Sequence, residues 1–217
     1  MKKENLILSV VLMITIIVTS CGESVSKKNA VFNNKTTSKD SVVYKGVPIG
    51  KQVLMSENLN VDKFRNGDSI PHAKTNEEWK KAGENKQPAW CYYDNDPKNA
   101  TKYGKLYNWY AVKDFRNITP KGWHIPSNAE WVEIENQLLT SKNSKIDLFI
   151  KLAGYRLSQG KFTRIEEFAG WWSATEGNEN YALGRLTDGN SNNLGSLNDD
   201  ADYGSKNLGL SVRCVRD

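Results

Sequence analysis

Histidine is nearly missing from this 217-residue chain, which has only His72 and His124. The chain also lacks a Gly-x-Ser-x-Gly elbow, a His-Glu-x-x-His pair, a phosphate loop and a dinucleotide fingerprint, so an ordinary enzyme would be without its usual parts. No run of basic residues is long enough to form a nucleic-acid stripe, although 30 basic side chains against 25 acidic ones leave a formal charge of +5. Nucleic acid is therefore not an expected partner, and no cofactor is expected. No apolar run reaches the roughly 20 residues that a membrane-spanning helix needs. The chain is rich in aromatics: seven Trp, nine Tyr and six Phe supply apolar area for a core and exclude wholesale disorder. The length fits one domain with appendages.

The first 20 residues differ in kind from the rest. Lys2 and Lys3 precede the apolar run Leu6 to Val18, broken only by Ser9 and Thr15, which is signal-peptide anatomy. Val18-Thr19-Ser20-Cys21 resembles the bacterial lipobox, in which small residues precede a cysteine that takes a diacylglycerol and becomes the new N-terminus. The resemblance implies lipidation at Cys21, and each buried CH₂ of the acyl chains contributes about 0.8 kcal/mol to anchoring. Gly22 rather than Asp follows, so the expected location is the outer membrane, with the membrane itself as a partner through the anchor. Residues 21–40 are poor in large apolar side chains and read as a flexible tether. The domain is expected over residues 41–217.

Within that domain the pattern reads as α+β with short helices and a twisted antiparallel sheet. Gly50-Lys51 between Val42–Ile49 and Gln52–Met55 signals a hairpin. Thr75-Asn76-Glu77-Glu78 and Ser127-Asn128-Ala129-Glu130 are capping boxes, each followed at once by a Trp, and Trp131, Ile134 and Leu138 form one apolar helix stripe. Leu208, Leu210, Val212 and Cys214 alternate with Gly209, Ser211 and Arg213 as in a half-buried strand. The Gly-, Asn- and Asp-rich stretches 94–101 and 187–207 read as loops or hairpin turns. Asp188, Asn190, Asn192 and Asp199 have an EF-hand-like spacing, but Asn193 stands where a Gly is required; they and Asp94-Asn95-Asp96 are read as turn residues, not as a Ca²⁺ site.

With Cys21 assigned to lipid, Cys91 and Cys214 form an even pair in an exported domain and are read as a disulfide. Two buried free thiols are the alternative, because Trp90 and the strand ending at Cys214 look like core. His124, between Trp123 and Ile125, is read as a packed ring rather than a base. Trp171 and Trp172 are candidate platforms for stacking on a sugar: adjacent strand residues face opposite sides, so at most one belongs to the core if the segment is extended. The alternative is that core or loops cover both.

Several segments together resemble one family. They are Gln52 to Asn60, Pro88-Ala89-Trp90-Cys91-Tyr92-Tyr93, Tyr103-Gly104-Lys105-Leu106-Tyr107-Asn108-Trp109-Tyr110-Ala111-Val112, Gly122-Trp123-His124-Ile125-Pro126-Ser127, Gly154-Tyr155-Arg156, Trp171 to Glu176 and Ser211 to Arg216. This pattern is similar to the Fibrobacter succinogenes major paralogous domain, common in bacterial lipoproteins. In relatives the segment before Gly-Tyr-Arg is usually longer than Thr140 to Ala153. Gly122 to Ser127, Glu130-Trp131 and the late Ser-Val-Arg-Cys-Val-Arg strand also look like formylglycine-generating domains, which implies a C-type-lectin-like fold. There a disulfide commonly ties the terminal strand to the body, in agreement with Cys91–Cys214. Those enzymes bind copper with a cysteine pair near the C-terminus, where Cys214 stands alone, so their activity does not carry over. The resulting expectation is a non-enzymatic, lipid-anchored envelope module that binds a carbohydrate, protein or envelope component. An assembly role without a pocket, or an unrecognised enzyme, are the alternatives. An exposed aromatic beside a concave polar loop would mark binding.

Overall fold

Local sequence signals set the element boundaries, and the computed structural model describes them over residues 43–140, 150–189, 194–197 and 204–217. The signal peptide, Cys21 and the tether lie outside the described residues, as do Asn190, Asn192, Asn193 and Asp199. Strands β1 (Gly46–Ile49) and β2 (Gln52–Met55) form the expected hairpin, and Gly50 takes φ +59 at its turn, a backbone state that glycine reaches without Cβ strain. Helix α1 (Asn76–Glu84) starts in a complete capping box: Glu78 N donates to Thr75 Oγ1, while Thr75 N donates to Glu78 Oε2. Strand β3 (Trp90–Cys91), a 3₁₀ turn (Tyr93–Asn95), α2 (Asn99–Tyr103), β4 (Leu106–Tyr107), α3 (Trp109–Lys113) and β5 (Trp123–His124) follow. Helix α4 (Asn128–Thr140) repeats the capping box with Ser127 and Glu130, and buries Trp131, Ile134 and Leu138 on one face. The chain closes with β6 (Ala153–Arg156), β7 (Phe162–Ile165), β8 (Ala169–Glu176), β9 (Ala182–Thr187), β10 (Gly195–Leu197) and β11 (Val215–Arg216).

The fold is α+β. The strands form a four-stranded sheet in the order β1-β2-β11-β5, a five-stranded sheet β10-β9-β8-β6-β7 and the pair β3-β4. All pairings are antiparallel except β6 with β8. Among the described residues no helix is long and apolar enough to cross a membrane. The terminal strand is tied to the body by pairing with β2 and β5, without a cross-link.

Neither tryptophan of the candidate platform is exposed: Trp171 is 1% and Trp172 is 0% accessible. The pleat does send the two rings to opposite faces. However, β8 is the central strand of its sheet and is covered on both. Trp171 packs with Trp131, Ile134 and Leu138 of α4, while Trp172 joins the larger cluster of Tyr107, Trp109 and Val212. Their ring nitrogens donate to Asn58 Oδ1 (2.9 Å) and Tyr107 O (2.8 Å). At about 25 cal/mol per Å², burying either ring contributes up to about 4–6 kcal/mol, so these are core residues.

The expected disulfide is likewise corrected, because Cys91 and Cys214 are both free and buried. Cys91 sits in the cluster of Ala73, Trp79, Ala89 and Leu106, whereas Cys214 sits in the large cluster with Val212 and Tyr107, so each sulfur has its own apolar enclosure. Burial pushes both thiols up to about 12. Neither thiol is expected to react with DTNB in the native protein at neutral pH, and both are expected to react after denaturation without reductant. Silence of both residues in the denatured, unreduced protein would restore the disulfide.

The segment 208–214 also departs from a half-buried strand: Gly209, Ser211 and Arg213 are buried along with the apolar residues between them. It runs between sheets, bridging Tyr107 with Leu210, Arg156 with Gly209 and Trp171 with Ser211. Polar side chains survive there because partners await them, chiefly Asn58.

Candidate functional site

Asn108 organises the most distinctive surface feature. Its side chain caps α3 by accepting from Ala111 N (3.1 Å), accepts from Ala89 N (2.9 Å) and donates to Gln87 O (2.8 Å). One amide thus locks the start of α3 to the segment carrying Pro88. A groove of about 360 Å³ lies there, with Pro88, Trp109 and Tyr110 supplying its apolar surface and Lys113 and Asp114 continuing from α3. The last residue of β8 supplies Glu176, the turn after it supplies Glu179, and Lys86 and Lys206 complete the lining.

The charges of the groove are mostly committed to one another. Lys206 Nζ lies 4.7 Å from the Trp109 ring centroid, donates to Glu179 O (2.8 Å) and makes a short ion pair with Glu176 Oε1. Lys86 Nζ meets Glu179 Oε1 at 3.3 Å. The Lys206 ammonium holds the Glu176 carboxyl below the usual carboxylate range. Asp114 accepts from Arg116 through both oxygens, at 2.8 Å from Nε and 2.8 Å from Nη2, and that fork holds its carboxyl low.

The same fork pins a turn. Asn117 N donates to Asp114 O (2.9 Å), so Phe115 occupies the second position of a β-turn, and Arg65 N donates to Asn117 O (2.7 Å) from outside it. The Arg116 guanidinium lies 4.0 Å from the Phe64 ring centroid, which anchors the turn to the core. Phe115 itself is 93% exposed, one residue beyond the groove-lining Asp114. The Arg116 guanidinium lies 5.8 Å from its ring centroid, and the ring is otherwise open to solvent, available for a contact outside the chain.

A larger cavity of about 490 Å³ lies along Tyr44, Lys45 and Ser56 to Asn58. Its deepest polar side chain, Asn58, is committed to the core, and it has no strongly exposed aromatic beside it; the smaller groove is the better site. Among the described residues no three His, Cys, Asp or Glu side chains are grouped to hold a metal ion. Asp94 and Asn95 adopt positive φ in the 3₁₀ turn, and Asp96 Oδ1 accepts from Lys98 N (2.9 Å), as turn residues do.

His124 is not the packed ring expected from its flanks. It is part-exposed, and its Nδ1 and Nε2 lie 2.8 Å from Asp217 Oδ1 and Glu130 Oε1. Both nitrogens face carboxylates, so the doubly protonated ring satisfies both. Burial pulls its pKa down, but the two carboxylates outweigh this and raise it above the usual 6.5. A raised folded value means that the stabilisation is full below the unfolded value near 6.5 and is lost as pH rises through the folded value. His124→Gln should therefore destabilise the protein more at pH 6 than at pH 9, by about 1 kcal/mol at most given the solvent screening. A difference independent of pH, measured by thermal unfolding, would contradict the charged latch.

The groove gathers four stretches that no single motif contains. Trp109 and Tyr110 fall in a segment singled out by sequence, but Phe115, Lys113, Glu179 and Lys206 do not. An aromatic between opposite charges, Asp114-Phe115-Arg116, was the local signal available for the first of these.

No curated protein and no solved structure matches the chain. Residues 47–148, which carry α1, α3, the Phe115 turn and most of the groove's apolar surface, match the model of the Fibrobacter succinogenes major domain. That segment is a Fibrobacter succinogenes major domain.

Proposed function

We propose that this protein is a non-enzymatic binding module of the bacterial envelope, anchored by lipid at Cys21 and holding a carbohydrate, protein or envelope component in the groove beside Phe115. The observation that carries this reading is Phe115, 93% exposed on a turn braced by Asp114 and Arg116, next in the chain to the groove-lining Asp114. The fold reading is a C-type-lectin-like domain; the α+β architecture and the docking of β11 into the sheet of β2 and β5 support it. The lipobox-like Val18-Thr19-Ser20-Cys21 supports the anchor and the outer-membrane location.

The test is a glycan array followed by titration calorimetry on the full chain in detergent, with and without Ca²⁺. Saturable binding to one glycan class is expected. Phe115→Ala and Tyr110→Ala should each weaken it about tenfold, the effect of losing one aromatic contact, with little change in melting temperature. Silence across the panel would overturn a carbohydrate ligand, and binding untouched by both variants would overturn the groove as the site.

A further inference from the structure

We infer that the groove selects an acidic sugar, with Lys113 as the residue that takes the sugar's carboxylate; this rests on the groove being the binding site. Three lysines and three carboxylates line it, and the carboxylates are already matched: Glu176 by Lys206, Glu179 by Lys86 and Asp114 by Arg116. Among the described residues the Lys113 ammonium has neither a hydrogen bond nor an ion pair; it only acts at a distance on Glu176. The lining is neutral in sum, but with Asp114 taken by Arg116 from outside it, Lys113 is the lining cation left without a bound carboxylate among the described residues, and it stands on the same short helix as Tyr110.

The paired side chains favour a sugar over an acidic peptide. Lys206 and Lys86 each engage Oε1 of their glutamate, which leaves Oε2 of Glu176 and of Glu179 to accept hydroxyl protons. A sugar acid brings hydroxyl donors for those oxygens, an apolar ring face for Tyr110 and Phe115, and a carboxylate for Lys113. A run of acidic side chains brings no hydroxyl donors for those oxygens and no apolar ring face for the aromatics.

The probes are uronate tetramers (galacturonate, mannuronate and glucuronate) and their methyl esters, which keep the sugar and remove the charge, titrated into the full chain in detergent. One acid form should bind about tenfold more tightly than its ester, the effect of one charge-assisted hydrogen bond. K113M should bring the acid form down to the level of its ester, and K113R should retain most of the preference. Equal affinity for acid and ester, with Phe115→Ala weakening both, would overturn the charge inference and leave the groove reading standing. Binding of the acid form unaffected by Phe115→Ala would remove both. No binding of any tetramer, or tighter binding of poly-aspartate than of the uronates, would overturn the acidic-sugar assignment.

Discussion

Replacing Asn58 with Leu is expected to destabilise the protein by about 3–5 kcal/mol, from losing five hydrogen bonds of a buried network, two of them from a charged guanidinium. Asn58 Oδ1 accepts from Trp171 Nε1 (2.9 Å) and from Arg213 Nε (3.1 Å) and Nη2 (2.6 Å). Its Nδ2 donates to Tyr103 O (2.9 Å) and Ser211 Oγ (3.2 Å). One amide thereby joins the β2 end, α2, β8 and the terminal segment. Arg213 is 0% exposed, and burial pulls its pKa down to about 9, so it is still charged at neutral pH and depends on acceptors. Its other acceptors include Met55 O and Ser56 O, at 3.5 and 3.4 Å, too long to replace the amide. In urea, with a slope near 2 kcal/mol/M, the midpoint should fall by about 2 M. A shift below about 0.5 M would show that the network relaxes around the loss.

Arg156→Met is expected to cost a similar amount, about 3–5 kcal/mol, for a different reason. This guanidinium is also 0% exposed, and carbonyl oxygens are its main acceptors: Gly160 O (2.8 Å), Ala73 O (2.9 Å) and Thr75 O (2.9 Å). It lies 4.8 Å from the Trp79 ring centroid and 4.5 Å from that of Phe162. The side chain therefore ties β6 and the turn after it to the segment entering α1. Methionine fills much of the volume but leaves the buried Gly160 and Ala73 carbonyls without that donor, while Thr75 O keeps the bond from Trp79 N. Arg156→Lys should recover less than half of the loss, because one ammonium cannot reproduce the planar fork. Thermal unfolding measures both; a lysine variant as stable as the parent would contradict the fork's role.

These arginines explain two of the sequence motifs in physical terms. In Gly154-Tyr155-Arg156, the arginine is the buried tie and Gly154, at φ +61, passes so close to Thr163 O that a Cβ there would lie 2.6 Å away. In Ser211-Val212-Arg213-Cys214, the alternation was readable as a strand, but Ser211 and Arg213 looked like its wet face. Their burial depends on Asn58, more than 150 positions away, and no local pattern reveals that. Capping boxes and the α4 stripe were legible because the residues that cause them lie within one or two helical turns. Trp171 and Trp172 show the limit from the other side: the pleat told which way each ring points, while coverage of both faces came from α4 on one side and the large cluster on the other. The groove was least legible, since Lys86, Tyr110, Glu179 and Lys206 meet only in three dimensions and Phe115 is marked by an exposure that a sequence does not record.

The claim that most needs testing is that the groove beside Phe115 is where this protein meets its ligand. Amide hydrogen exchange of the full chain, with and without saturating amounts of the tightest-binding glycan, tests it directly. Protection confined to residues 86–88, 109–117 and 176–180 is the predicted result, because these segments carry Pro88, Tyr110, Phe115, Glu176 and Glu179. Protection centred instead on residues 43–60, along the larger cavity, would contradict it.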